Sequence, residues 1–157
     1  MIYMGIEVIA DGVVRDENPH WVYYIDAARV GELDPKRCGK WMYMTADLER
    51  ADELVREAVV TGAVIEAKRS TAKHVALSRA GTGVCCFYLN GDDAEAHRRA
   101  IGFLLGHGLV RRTKAGRLYN VSFKFDEQTR AGEYGDDFHA KTCLADFVDL
   151  DTGEFLA

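Results

Sequence analysis

The sequence predicts an α+β fold: a curved, mostly antiparallel sheet with helices packed on one of its faces. Three observations point there. Several short segments alternate apolar and polar residues with the period of two expected of half-buried strands. Two longer segments repeat apolar residues at helical spacing. Strands and helices do not alternate strictly, which argues against a parallel sheet built from strand–helix–strand units. The 157 residues suit a single domain, 1–157, large enough to bury most of its apolar surface without staples.

Residues 1–30 read as strands broken by the polar turn ADGVVRDENPH, with HWVYYID the stronger strand. After GELDPKRCG comes the strand KWMYM. TADLERADELVREAVVTG reads as a helix, with Leu48, Ala51, Val55, Ala58 and Val59 at helical spacing. Thr45 or Asp47 serves as its cap, and Gly62 closes it. The strand VIEAKRST follows, then a short segment HVALSR, a GTG turn and the β-rich GVCCFYLN. A second helix begins near GDDAEAHRR, capped by Asp92 or Asp93. It is expected to bury Ala96, Ala100, Phe103 and Leu104 and to stop at Gly106 and Gly108. The strand LYNVSFKFD leads into the glycine-rich loop RAGEYGDDFH, and a last pair of strands around DTG closes the sheet.

Composition narrows the function classes. Hydrophobic content of 48% and charged content of 29% are ordinary for a soluble globular chain. A net charge of −5 argues against a bulk nucleic-acid partner, which a basic surface would favour, but leaves room for a local basic pocket. Cys38, Cys85, Cys86 and Cys143 form no CxxC pair, so they read as structural thiols, and no cluster suggests a metal or another cofactor. MIYMGIEV lacks a basic leader and no run reaches membrane-spanning length, so the expectation is a cytoplasmic protein with no membrane partner.

Neighbouring side chains of a strand point to opposite faces. In CGKWMYM, Lys40, Met42 and Met44 share one face while Trp41 and Tyr43 share the other. In EAKRS, Lys68 goes with Glu66 and Ser70. In CCFYL, Tyr88 goes with Cys86, and in VSFKF, Ser122 goes with Lys124. Four strands thus offer Lys40, Lys68, Tyr88 and Lys124 on polar faces, an arrangement that an anion would stabilise. The competing reading is a solvated sheet face decorated with lysines for solubility.

The order GKW, AKRST, CCFYL, VSFKFDEQT resembles the phosphothreonine lyases, which include bacterial effector enzymes and the lyase domains of lanthipeptide synthetases. The resemblance covers roughly residues 39–126. It implies that Lys40 matches the family's first lysine and Lys68 the lysine that removes the α-proton. Arg79 and Tyr88 match the phosphate-side arginine and tyrosine, and Lys124 stands where the family has a late arginine. The family's general-acid histidine falls on Met42, whose thioether has no proton to give. The run GVCCFYLNGDDAEAHRRAIGFLLGHGL…YNVSFKFDEQTRAG also resembles the cap-binding translation initiation factor, over about residues 38–135. Its relatives named for a basophilic-leukaemia-expressed protein share the GKW, AKVST and TxAG-like runs. That likeness implies a cap-binding-like curved sheet whose aromatic residues clamp a base; Trp21 and Trp41 are the only tryptophans available for it, and a core role suits each at least as well.

Taken together, the expected site has Lys68, Lys40 and Tyr88 in catalytic roles, with Arg79, Lys124, Ser122, Trp41 and His74 as ligand-binding residues. Burial and neighbouring cations would lower the Lys68 pKa towards that of a usable base. His74 and His139 are the candidate substitutes for the missing acid. The expected partner is a phosphorylated small molecule, a nucleotide or a phosphopeptide. Two readings stay open beside a lyase: a non-catalytic receptor for such a ligand, favoured by Met42, and a protein-docking domain using the acidic tail ADFVDLDTGEFLA.

Overall fold

The computed structural model describes residues 6–10, 12–126 and 142–157. His139 and the loop from Gly132 to His139 lie outside them. The described chain forms one curved antiparallel sheet of eight strands in the order β1-β2-β3-β5-β6-β4-β7-β8. These are β1 (Ile6–Ala10), β2 (Val13–Glu17), β3 (Trp21–Asp26), β4 (Cys38–Thr45), β5 (Glu66–Ser70), β6 (Gly83–Asn90), β7 (Ser122–Phe125) and β8 (Thr142–Cys143). Three helices accompany them: α1 (Leu48–Val60), α2 (Ala72–Leu77) and α3 (Ala94–Gly106). No helix among the described residues is long and apolar enough to cross a membrane.

The segment expected as a polar turn contains β2. Gly12, at φ 74°, makes the tight reversal that returns the chain along β1. Val13 is then buried, and the charged residues that follow sit between two strands, with Arg15 bonded to Glu17 at 2.8 Å. The HVALSR segment forms α2, because the Thr71 hydroxyl accepts from the His74 backbone N–H and caps a turn. LYNVSFKFD forms a strand only from Ser122. Before it, the Tyr119 N–H donates to the Arg111 carbonyl and draws the chain off the sheet.

The helices follow the expected signals with two exceptions. Asp47 caps α1 by accepting from the Arg50 N–H, and Gly62, at φ 79°, follows its end. Leu54 joins Ala51, Val55, Ala58 and Val59 in the core, while Leu48 in the first turn is only half-buried. Asp93 caps α3, whose buried side includes His97 and Ile101 as well as Ala96, Ala100 and Leu104. Phe103 is only partly buried and tilts against Phe87. Helix α1 packs on β3, β5 and β6, and α3 on β6, so Trp41, Phe87, Leu89 and Phe123 form the core between sheet and helices. Every second residue of the same strands faces the other way.

Candidate functional site

On the face away from α1 and α3, strand register gathers the polar residues that alternation had sorted strand by strand. Lys40 of β4 pairs with Tyr88 of β6 on one side and with Lys124 of β7 on the other. Lys68 of β5 lies between Cys86 of β6 and Tyr23 of β3, and Glu66 between Tyr88 and Ile25. Met42 pairs with Cys86. Gly39 lets β7 come this close: a Cβ there would lie 2.5 Å from the Lys124 carbonyl and 2.7 Å from the Phe123 ring. The glycine of the GKW motif therefore places Lys124 beside Lys40.

The cluster is desolvated. Tyr88 is 6% exposed, Cys86 2%, and the Lys40 side chain 12%. The Lys40 ammonium donates to the Asp126 carboxylate at 3.2 Å and lies 5.6 Å from the Tyr88 ring centre. The Lys68 ammonium lies 3.8 Å from the Trp21 ring centre, 5.6 Å from Tyr23 and 5.7 Å from Tyr88. These three faces form an aromatic cradle around a cation. Burial, aided by Lys40, holds the Lys68 pKa below the usual lysine range, against the opposing pull of Cys86, Asp126 and Glu66. Burial and Lys40 act the same way on Lys124. Burial raises the Tyr88 phenol, which stays a hydrogen-bond donor at any ordinary pH, and pushes the Cys86 thiol up to about 11. Glu66 is raised as well, by burial first and by Asp126, with Lys68 opposing.

The other expected site residues divide. Ser122 is exposed and lines an open groove of about 470 Å³ with Met42, Met44, Arg111 and Tyr119, beside the Lys40–Lys124 pair. His74 stands at the rim, its ring 4.3 Å from Trp21 and its Nδ1 2.8 Å from the Ser70 hydroxyl. Arg79 is exposed in the turn after α2 and makes no ion pair among the described residues. Trp41 is not available to a ligand on this face. It is fully buried on the helix side, where its indole N–H donates to His97 at 3.1 Å. Trp21 and Trp41 thus lie on opposite faces and form no clamp, and Trp21 already carries Lys68 and His74 against its ring.

The cationic reading of the sequence put Glu66 on the Lys68 face but gave it no part, and it overlooked Asp126 and the aromatic cradle. Glu66 and Asp126 share the face with three lysines, and Tyr23 and Trp21 flank Lys68. Strand alternation in WVYYID held the signal for Trp21 and Tyr23, but only the β3–β5 pairing shows what they touch. Among the described residues no group of histidine, cysteine and carboxylate side chains could hold a metal ion. No family model, no curated protein and no solved structure matches the chain. Chemically, the site offers cations for an anion, a phenol that donates, an amine biased towards neutrality and a carboxyl biased towards its protonated form.

Proposed function

We propose that this face binds a phosphorylated ligand as a phosphothreonine-lyase-like site and that Lys68 acts there as the base of a β-elimination. One observation carries the reading: Lys40, Lys68, Lys124 and Tyr88, drawn from four strands, lie on one desolvated patch in direct cross-strand register or one strand apart. Lys40 and Lys124 are the phosphate-side cations, and Tyr88 donates a hydrogen bond to a phosphate oxygen. Lys68, desolvated and beside another cation, is biased towards the neutral form a base needs. It takes the α-proton, the C–H electron pair becomes the Cα=Cβ bond, and the Cβ–O bond breaks to release phosphate.

The test is mass spectrometry of a phosphothreonine peptide incubated with the pure protein. Loss of phosphoric acid to leave dehydrobutyrine, abolished in Lys68→Ala, is the expected result. The Lys124→Ala variant is expected to bind the same peptide more weakly. Met42 favours the second reading, a non-catalytic receptor for a phosphorylated metabolite or nucleotide, because the position resembling the family's acid holds a thioether. Binding without loss of phosphate, with Met42→His adding no elimination, would select that reading; elimination created by Met42→His would mark a decayed lyase instead.

A further inference from the structure

We infer that Glu66 is the proton donor to the departing phosphate, taking the part that a thioether at Met42 cannot play. The inference rests on the elimination proposed above. Glu66 lies two residues before Lys68 on β5, so both side chains leave the same face of one strand. Its cross-strand neighbours are Tyr88 on β6 and Ile25 on β3, a phenol and an aliphatic chain. The titratable groups around it are Lys68 on its own strand, Tyr88 and Cys86 on β6, Tyr23 on β3, Lys40 on β4 and Asp126 at the end of β7.

Three observations set Glu66 apart from the other carboxylates near the sheet. Its side chain makes no hydrogen bond or ion pair among the described residues, although an amine stands two residues away. Asp126, by contrast, is bonded to Lys40, and Asp52 to Tyr24 and Arg69. Its oxygens are not sealed either: the side-chain polar atom that is both buried and unpartnered among the described residues is the Thr113 hydroxyl. A half-buried carboxyl that leaves its possible partners unused yet stays reachable is poised for a ligand rather than for the fold. Its desolvated surroundings favour the protonated form, as a general acid requires.

The step balances. Lys68 removes the α-proton, and the electron pair moves into the new Cα=Cβ bond as the Cβ–O bond breaks. The Glu66 proton goes to the bridging oxygen and inorganic phosphate leaves. Lys68 finishes as the ammonium and Glu66 as the carboxylate, and exchange with water restores both. No oxidant, reductant or metal enters.

The experiment compares wild type with Glu66→Gln on two peptides, one carrying phosphothreonine and one carrying β-chloroalanine at the same place. Chloride departs without needing a proton, so only the first peptide depends on the acid. Phosphate release is expected to slow about 100-fold in Glu66→Gln, the usual scale of general-acid catalysis. Chloride release by the same variant is expected to match wild type, and so is its Kd for the phosphothreonine peptide. Phosphate release at the wild-type rate in Glu66→Gln would overturn the inference and leave the lyase reading standing. So would an equal loss on both peptides, which would make Glu66 a structural residue. If wild type releases no phosphate, the lyase reading itself fails and takes this inference with it.

Discussion

The two faces of the sheet are built by the same strands and treat polar groups in opposite ways. On the helix side the polar groups around His97 and Asp52 are matched. The Trp41 indole donates to His97 Nδ1 at 3.1 Å, and His97 Nε2 donates to the Gly91 carbonyl at 2.8 Å. The Tyr24 hydroxyl and the Arg69 guanidinium both donate to Asp52 at 2.9 Å. On the other side the side chains of Lys68 and Glu66 are half-buried and make no hydrogen bond or ion pair among the described residues. Burial of an unmatched charge is a cost to folding. The matched groups on the first face hold the fold together; on the second, where Lys40 pairs with Asp126 and Ser70 with His74, it is Lys68 and Glu66 that are kept in spite of the fold. The contrast predicts that substitutions on the two faces change stability with opposite signs.

The largest expected effect is on the helix side. Trp41 touches His97 and Phe123, with ring centres 5.7 and 5.4 Å apart, and is fully buried. Trp41→Ala is expected to lower the unfolding free energy by about 3–5 kcal/mol, through a large cavity and an orphaned His97 nitrogen. Urea denaturation measures it. A loss below about 1 kcal/mol would mean that the helix face tolerates unmatched polar groups too, and the contrast would collapse.

A smaller effect sharpens the same side. Burial holds the His97 pKa below the usual histidine value, with the bond to the Gly91 carbonyl opposing. A depressed histidine pKa means that the folded state favours the neutral ring. Its contribution is complete above the unfolded value of about 6.5 and is lost as pH falls below that value towards the folded pKa. Unfolding free energy is therefore expected to drop on acidification below about pH 6.5, by at most about 1.4 kcal/mol for each pH unit from this one group. His97→Gln, which can still accept from Trp41 and donate to Gly91, is expected to flatten that slope. His74 shifts in the same direction for similar reasons, so the difference between wild type and the variant isolates His97. Equal slopes would remove His97 as the source.

Much of this contrast was legible in the sequence, and the limits of legibility are physical. A period of two within KWMYM, EAKRS, CCFYL and VSFKF sorts residues to faces, and the helical spacing of Ala51, Val55 and Ala58 says which side the helix covers. The order of strands is another matter. That β6 lies between β5 and β4 is set by contacts across dozens of residues, so no local pattern could put Tyr88 between Lys40 and Glu66. Trp41 illustrates the same limit. The likeness to a cap-binding sheet suggested a clamp role for it, yet alternation turns it into the core and His97, on a helix far along the chain, claims its N–H. The His97 signal was faint because a histidine within an otherwise apolar helix stripe reads as a polar residue. Strand β2 was missed because charged residues at Arg15, Asp16 and Glu17 resemble a turn, while the backbone pairing that makes them a strand is supplied by β1 and β3.

The smallest effect is the one of opposite sign. Lys68→Met replaces a half-buried ammonium by an apolar chain of similar length. The lysine loses some attraction to the Trp21, Tyr23 and Tyr88 rings, which methionine partly restores through its sulfur. What the variant removes is the charge that burial disfavours. Because the folded pKa lies below the unfolded one, the ammonium destabilises the fold at neutral pH, and that penalty fades as pH rises through the folded pKa. The variant is therefore expected to be more stable than wild type by about 1 kcal/mol near pH 7, the lower end of what such replacements give, with the gain shrinking in alkali. For a chain of this size that is roughly 2–4 °C in Tm. The same variant is expected to lose elimination of phosphate, so stability and function would move apart at one residue, as they do where a site is kept against the interest of the fold. A Lys68→Met protein that melts below wild type would show the aromatic cradle to be a structural cation site, and the two faces would then differ in what they touch but not in what they are for.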